Sequence, residues 1–538
     1  MSAIVAPARQ VARWAVNHGL PSLALRRAGR RGDLQGQLDT RLAEGDEAAL
    51  IPLMDRVRES GPLHRAAFSY VTASLPAVKE VLSSPDFQTG VFMPDGGLLG
   101  RIARWAEEPE RIGPLNPPSL LVVEPPEHTR YRKLVTRVFT VRAVEELRER
   151  TEQIAAGLLD DLERRARTGE PIDLVPAYCA ALPVTVIAEV LGVPEEDRQR
   201  VLDFGTAAAP SLDLGLSLRE MRRVEAALDD FRRWLVDHLD HLRLHPGDDL
   251  LSKLVAVQDE DGGLSQAELL ATAGLVLAAG FETTVNLLGN GIALLDAHPE
   301  QRRLLREQPD LWGNAVDEVL RHDPPVLLTG RFAARRTTVA GIDLPAGSLV
   351  TTLLAGANRD PEVFADPHTF AVARENARDH VAFSAGRHYC LGAALARMEG
   401  EVGLRALHER FPDLAVAPGG VRRPLAGDVG GEVVPERVLA GDHLFTQVPA
   451  MIRPEDNDRV LLQAISLECI KHPAHLAIDE AGAGEVGADQ VAPLVLLLEE
   501  LQPHLGQVPV QVPGKTRRVF PVTTEDLWQH TVVIGVKV

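Results

Sequence analysis

Cys390 sits where a thiol could do chemistry. It lies between the run Phe383-Ser384-Ala385-Gly386-Arg387-His388-Tyr389 and the alanine- and leucine-rich stretch Ala393-Ala394-Leu395-Ala396-Arg397. A cysteine just ahead of a helix meets the positive end of the macrodipole and unpaired backbone N–H groups, which stabilise thiolate over thiol. Thiolate is the form that ligates iron. Gly386 permits a tight turn and Gly392 a close backbone approach, as a flat cofactor lying on the loop would require. Taken alone, a cysteine at a helix start is more often a buried, inert thiol.

Three further groupings could act with it. Glu282-Thr283-Thr284 interrupts a long apolar stretch, where an acid and a hydroxyl are expensive unless paired or used. Such a pair could equally face a neighbouring helix. His128 and Arg132, four apart after Pro125-Pro126, share one helix face and could grip a carboxylate, or simply face solvent. Glu318 and Arg321, three apart, could form a charge-assisted pair, although surface helices offer such pairs widely.

These residues need elements to hold them. Ser265 and Glu268 form a capping box that opens a helix running to His298-Pro299, with apolar residues around its middle. Helical patterns also cover residues 47–59, 76–82, 144–167, 175–191 and 218–244, whereas residues 63–73 read as a strand. Residues 88–119, rich in Gly and Pro, read as a long irregular loop. The first 46 residues form a basic N-terminal arm, with six arginines before Asp33.

Composition narrows the function. The 57 basic and 76 acidic residues leave a net charge of −19, which lacks the global basic field that nucleic acid demands. Hydrophobic and charged fractions of 45% and 25% are those of ordinary globular domains. Cys179, Cys390 and Cys469 are too few for a four-thiolate cluster and do not resemble a secreted disulfide framework, so a reducing, cytoplasmic setting is expected. The apolar stretch 269–281 falls short of a bilayer span, which takes roughly 20 residues. No transmembrane segment is therefore expected.

The pattern F-x-x-G-x-H-x-C-x-G at Phe383, Gly386, His388, Cys390 and Gly392 resembles the haem-binding loop of the cytochrome P450 family, of the soluble actinobacterial kind. Ser384 stands where that family more often has glycine. Ala279-Gly280-Phe281-Glu282-Thr283-Thr284 resembles the family's oxygen-activating motif. Glu318-Val319-Leu320-Arg321 resembles its E-x-x-R pair, and His128-x-x-x-Arg132 its propionate contacts.

The resemblance implies a mainly α, triangular-prism haem fold with small β-sheets. Residues 47–452 would form the haem domain, and residues 453–538 a C-terminal extension of unknown role. It implies haem b ligated by the Cys390 thiolate, with Phe383, Gly386, His388 and Gly392 in the binding loop and His128, Arg132, Arg331 and His388 on the propionates. Thr283 would be the relay alcohol, Glu282 the acid, and Glu318 and Arg321 the structural pair. Thr369 falls where the family usually supplies a third partner to that pair, with His368 or Arg374 as possible substitutes. The activity implied is a monooxygenase inserting one oxygen atom from dioxygen into a lipophilic small molecule. Electrons would come from a separate ferredoxin and NAD(P)H-dependent ferredoxin reductase, with Arg387 and Arg397 as docking cations. The walls expected around the substrate are residues 92–99, 212–216, 275–279 and 326–329. Alternatives are a peroxygenase, a dehydratase or isomerase, or a non-catalytic haem-binding protein.

Overall fold

The computed structural model describes residues 2–90, 97–106, 108, 113, 116–136, 141–167, 172–212, 215–247, 249–256, 264–416 and 446–447. The expected extension at 453–538 and the wall residues 92–96 lie outside the described residues, as does Cys469.

The N-terminal residues are helical and seated on the rest of the chain. Helix α1 (Ser2–Trp14) passes through one π-helical turn, Ala15–Gly19, into α2 (Leu20–Arg30), and α3 (Leu34–Ala43) folds back along α2. The side chain of Asp33 caps α3 by accepting from the Gly36 N–H. Helix α4 (Glu47–Glu59) matches its apolar periodicity.

Two sequence expectations need correction nearby. Residues 63–73 are not one strand but a hairpin, β1 (His64–Arg65) and β2 (Tyr70–Thr72), turned by an Ala66 N–H to Ser69 carbonyl bond of 2.9 Å. The turn contains neither Gly nor Pro, so composition gave no sign of it. After α5 (Leu75–Ser83) and β3 (Phe87–Gln88), the segment expected to be irregular contains a helix, α6 (Gly97–Ala106). Helix α1 packs against it.

Helices α7 (Glu127–Thr136) and α8 (Val141–Ala166) lead to a second π-helical turn, Val175–Cys179, which opens α9 (Ala181–Val190). Then come α10 (Arg198–Ala208), α11 (Leu218–Leu244) and α12 (Leu250–Ala256). Helix α13 (Gln266–Ala297) begins at the Ser265/Glu268 capping box, with both reciprocal bonds formed. By length and composition it could cross a membrane, but it packs against α9, α10, α11 and α17 (Ala393–Arg410). Its Leu277, Val285, Leu287, Leu288 and Leu295 are at most 3% exposed and belong to the largest core cluster. Burial on nearly every side explains the lack of a polar face.

Helices α14 (Pro299–Glu307) and α15 (Trp312–His322) precede strand β4 (Leu328–Ala333), the hairpin β5 (Thr337–Val339) and β6 (Ile342–Leu344), and β7 (Leu349–Leu353). The main sheet has the order β1-β2-β7-β4-β3, with β2 and β7 parallel and the other pairs along this path antiparallel. Arg331 on β4 is thereby registered opposite Val350. A short helix, α16 (Leu354–Ala357), and a long meander then deliver the cysteine loop to α17.

Candidate functional site

The cysteine loop is a closed turn built largely by its own backbone. The Cys390 N–H donates to the Phe383 carbonyl at 2.9 Å, and Tyr389 N–H to Gly386 at 3.1 Å. Gly386 has φ +68°, and a Cβ there would come within 2.5 Å of the Leu82 carbonyl oxygen. Only glycine fits. Ser384, the residue that departs from the family's glycine, also adopts a left-handed conformation, at φ +63°, and its buried hydroxyl makes no hydrogen bond. Such a φ is uncommon outside glycine.

Gly392 is the N-cap of α17, which places Cys390 two residues ahead of it at the positive end of the helix. Burial pushes the Cys390 thiol up, while the Gly392 backbone N–H and the charges of Arg132 and Arg397 favour thiolate. Among the described residues, no atom beyond the adjoining chain lies within 4 Å of a Cβ built on Gly392, so this approach to the loop is open.

His128 and Arg132 project from α7 toward this loop. The Arg132 guanidinium donates to the Tyr389 carbonyl at 2.6 Å, and the His128 ring stands 4.4 Å from that of His388. Burial, then His388 and Arg132, draws His128 down to about 4, so it is neutral near pH 7. Arg331 is 5% exposed, and desolvation lowers it to about 10. It is nonetheless charged, and donates to Thr329 Oγ1 and the Gly330 carbonyl.

One carboxylate, Glu124, serves this cluster. It accepts from the Thr89 backbone at 2.7 Å, His388 Nε2 at 3.3 Å and Arg387 Nη1 at 2.8 Å. Burial opposes its ionisation, but the bonds from His388 and Thr89 outweigh this and hold it at about 2.

Donors therefore exceed acceptors here. His128 Nε2 is buried with no hydrogen-bond partner, and among the described residues Arg331, Arg387 and His388 share the Glu124 carboxylate while Arg132 is held only by the Tyr389 carbonyl. A ligand with two carboxylates and a metal seeking one thiolate fits this donor set, as haem would.

On α13, Thr283 Oγ1 donates to the Ala279 carbonyl at 2.9 Å and Thr284 Oγ1 to Gly280 at 3.2 Å. Glu282 is buried. Thr284 also hydrogen-bonds Glu399 of α17, a carboxyl that burial raises to about 8 despite that bond. Sequence reading missed Glu399; its signal was an acid whose neighbours three and four residues away, Leu395, Ala396, Val402 and Gly403, carry no charge.

Glu318 and Arg321 are both fully buried and doubly bonded, at 2.7 and 2.9 Å. Of the candidates for the third partner, Arg374 takes the place, with Nε 3.1 Å from Glu318 Oε1. Thr369 contributes only its carbonyl, to Arg321 and Arg374, and His368 lies instead 3.6 Å from Asp55.

Arg387 and Arg397, expected as docking cations, are committed to carboxylates. Arg387 pairs with Glu124 at 2.8 Å and Arg397 with Asp317 at 2.7 Å. Asp317, one residue before Glu318, is a second acid that sequence reading passed over.

Of the expected walls, 275–279 and 326–329 lie within described elements or their approaches, and 212–216 is described only in part. A narrow groove lies between α10, α11 and α13, lined by Phe204, Phe231, Leu270, Gly274 and Leu277. Helical periodicity puts Leu270, Gly274, Leu277 and Phe281 on one face of α13 and Ala279 and Thr283 on the other, so the groove lies on the side of α13 away from Thr283.

Residues 113–424, which include His128 through Arg397, match the model of the family described as Cytochrome P450. The chain is 49% identical over 416 residues to a Mycobacterium tuberculosis protein named for cytochrome P450 140, covering 76% of this chain and 93% of that one. It is 45% identical over 304 residues to vitamin D(3) 25-hydroxylase of Pseudonocardia autotrophica, covering 56% and 72%. Among solved structures it resembles a myxobacterial cytochrome P450, CYP267B1, in complex with myristic acid. The TM-score is 0.62 at 32% identity, covering 70% of this chain and 93% of that one.

Proposed function

The chain belongs to the cytochrome P450 family and is a haem-thiolate monooxygenase, and from that premise we propose that Cys390 is its iron ligand and a lipophilic small molecule its substrate. The observation that carries the site assignment is the donor surplus beside Cys390, with His128 Nε2 buried and unsatisfied. His128, Arg132, Arg331 and His388 would hold the two propionates, and the Phe383–Gly392 loop would carry the ring.

Haem with a thiolate ligand supplies dioxygen activation and oxygen insertion when bound. The chain's own residues position and protonate. The Gly392 N–H and the charges of Arg132 and Arg397 favour the Cys390 thiolate against the burial that raises its thiol. Thr283 holds its hydroxyl proton on the Ala279 carbonyl, where an incoming oxygen atom can compete for it. Glu282, the preceding residue and a buried carboxyl, would be the acid of the relay that resupplies the Thr283 proton. Leu327 and Leu328, in the segment expected to wall the substrate, are buried and apolar, which supports a site kept from water.

A lipophilic substrate is supported by these apolar neighbours and by the names of relatives, among them vitamin D(3) 25-hydroxylase. Three cysteines cannot build a four-thiolate cluster, which supports electron delivery by a separate ferredoxin and its NAD(P)H-dependent reductase. The same scarcity supports a cytoplasmic setting.

The deciding experiment is the carbon-monoxide spectrum of the reduced, haem-loaded protein. A thiolate-type red-shifted Soret band that disappears in Cys390→Ala is expected; a wild-type protein without that band would overturn the ligand assignment. Screening lipophilic compounds for a spin-state change would then identify the substrate class, and failure of every such compound would count against lipophilicity.

A further inference from the structure

Asp317 is fully buried on α15, beside the Glu318 of the structural pair. Its Oδ1 accepts from Arg397 Nε at 2.7 Å and His380 Nε2 at 3.3 Å, and its Oδ2 from Arg378 Nε at 2.8 Å. These three partners are unequal. Arg378 is largely exposed, and burial draws His380 toward its neutral form. Arg397 points inward.

Its guanidinium carbon stands 4.6 Å from the centre of the Phe383 ring, and Nη1 lies 3.2 Å from the Tyr389 hydroxyl. It thus touches both ends of the turn that holds Cys390, since Phe383 also accepts the Cys390 N–H. A guanidinium over an aromatic ring is attracted by the ring quadrupole and is harder to displace than an ammonium. Left to itself, an arginine this close to the surface would extend into water. The carboxylate at Nε fixes the plane.

We propose that Asp317 is a positioning residue that acts through Arg397, laying a fixed positive charge against the cysteine loop and so making the thiolate-bound iron easier to reduce. The inference rests on Cys390 being the ligand. A positive charge beside a redox centre favours the state with the extra electron, and a partly buried charge is weakly screened. Arg397 accordingly serves the loop rather than an external partner.

The test uses the full, haem-loaded chain as wild type, Asp317→Asn, Arg397→Gln and the double variant, equilibrated with a redox dye. Arg397→Gln is expected to lower the ferrous-to-ferric ratio at fixed potential about tenfold, equivalent to about 59 mV. Asp317→Asn lets the guanidinium leave the loop and should shift it the same way by less, because the negative charge lost with Asp317 acts in the opposite sense, and the double variant should show a ratio no lower than Arg397→Gln alone. An Asp317→Asn shift that persists in full in the Arg397→Gln background would overturn the proposal. So would an unmoved ratio in Arg397→Gln with the thiolate-type band intact, which also decides the matter if Asp317→Asn does not fold. Loss of that band in wild type would be a failure of the Cys390 assignment, a separate result.

Discussion

Arg374 Nε lies 3.1 and 3.2 Å from the two carboxylate oxygens of Glu318, which Arg321 also holds, so one buried carboxylate is gripped by two guanidinium groups. Arg321 extends the grip through the Asn358, Pro367 and Thr369 carbonyls, which ties the meander before the cysteine loop to α15.

Breaking that hub should be graded by what is left unpaired. Arg321→Ala strands a fully buried carboxylate's main partner and should cost about 3–5 kcal/mol. Arg374→Ala leaves Arg321 in place and should cost about 1–3 kcal/mol. His368→Ala, at an exposed side chain, should stay within about 0.5 kcal/mol. Denaturant unfolding of the three variants checks the order.

Ser384 is in the left-handed region at φ +63° with an unsatisfied buried hydroxyl. Glycine adopts that conformation without the Cβ penalty, so Ser384→Gly should stabilise the protein by about 1 kcal/mol. A bulkier, β-branched Val should do the reverse. Thermal unfolding at neutral pH distinguishes them.

Burial raises Glu399 to about 8, against the ordinary carboxylate value of 4.5 in the unfolded chain. Between those two values the folded state therefore holds a proton that the unfolded state releases, so this group makes stability fall as pH rises. The slope is at most on the order of 1 kcal/mol per pH unit. Glu399→Gln keeps a partner for Thr284 and cannot ionise. Its melting temperature should exceed that of wild type at pH 8 and approach it at pH 5; equal differences at both pH values would contradict the burial argument.

Thr283→Ala removes the hydroxyl nearest the Ala279 carbonyl while leaving the rest of α13 intact. With ferredoxin, reductase and NAD(P)H, product per NAD(P)H should drop about tenfold or more, with hydrogen peroxide released instead. Wild type and variant turning over equally well on peroxide alone would place the chain with peroxygenases.

What could be read from sequence was local. The Cys390 loop, the Glu318/Arg321 pair and the His128/Arg132 pair are each contained in a short run, so spacing alone brings their groups together. The Ser265 cap and the end of α13 at His298 were legible for the same reason. What escaped was set by contacts across the chain: Arg374 meets Glu318 from 56 residues away, and Arg397 meets Asp317 from 80. Glu124 was visible beside the His128 motif, but its role depends on His388, 264 residues on. Helix α6 was hidden by the glycines and prolines on either side of it, which obscured an otherwise amphipathic segment.

The anchoring of α1 has a mechanical consequence. Gln10 and Arg13 grip Glu225 on α11 at 2.5 and 2.7 Å, and the Trp14 indole donates to the Leu216 carbonyl just ahead of that helix at 2.7 Å. Farther along, Leu235 and Leu239 of the same helix are sunk in the main core. Helix α11 is therefore pinned at both ends, like a beam on two supports. Any sliding of it must carry residues 2–30 along or break charge-assisted bonds worth about 1.5–3 kcal/mol each. The N-terminal helix thus acts as a brake on a helix packed against α13.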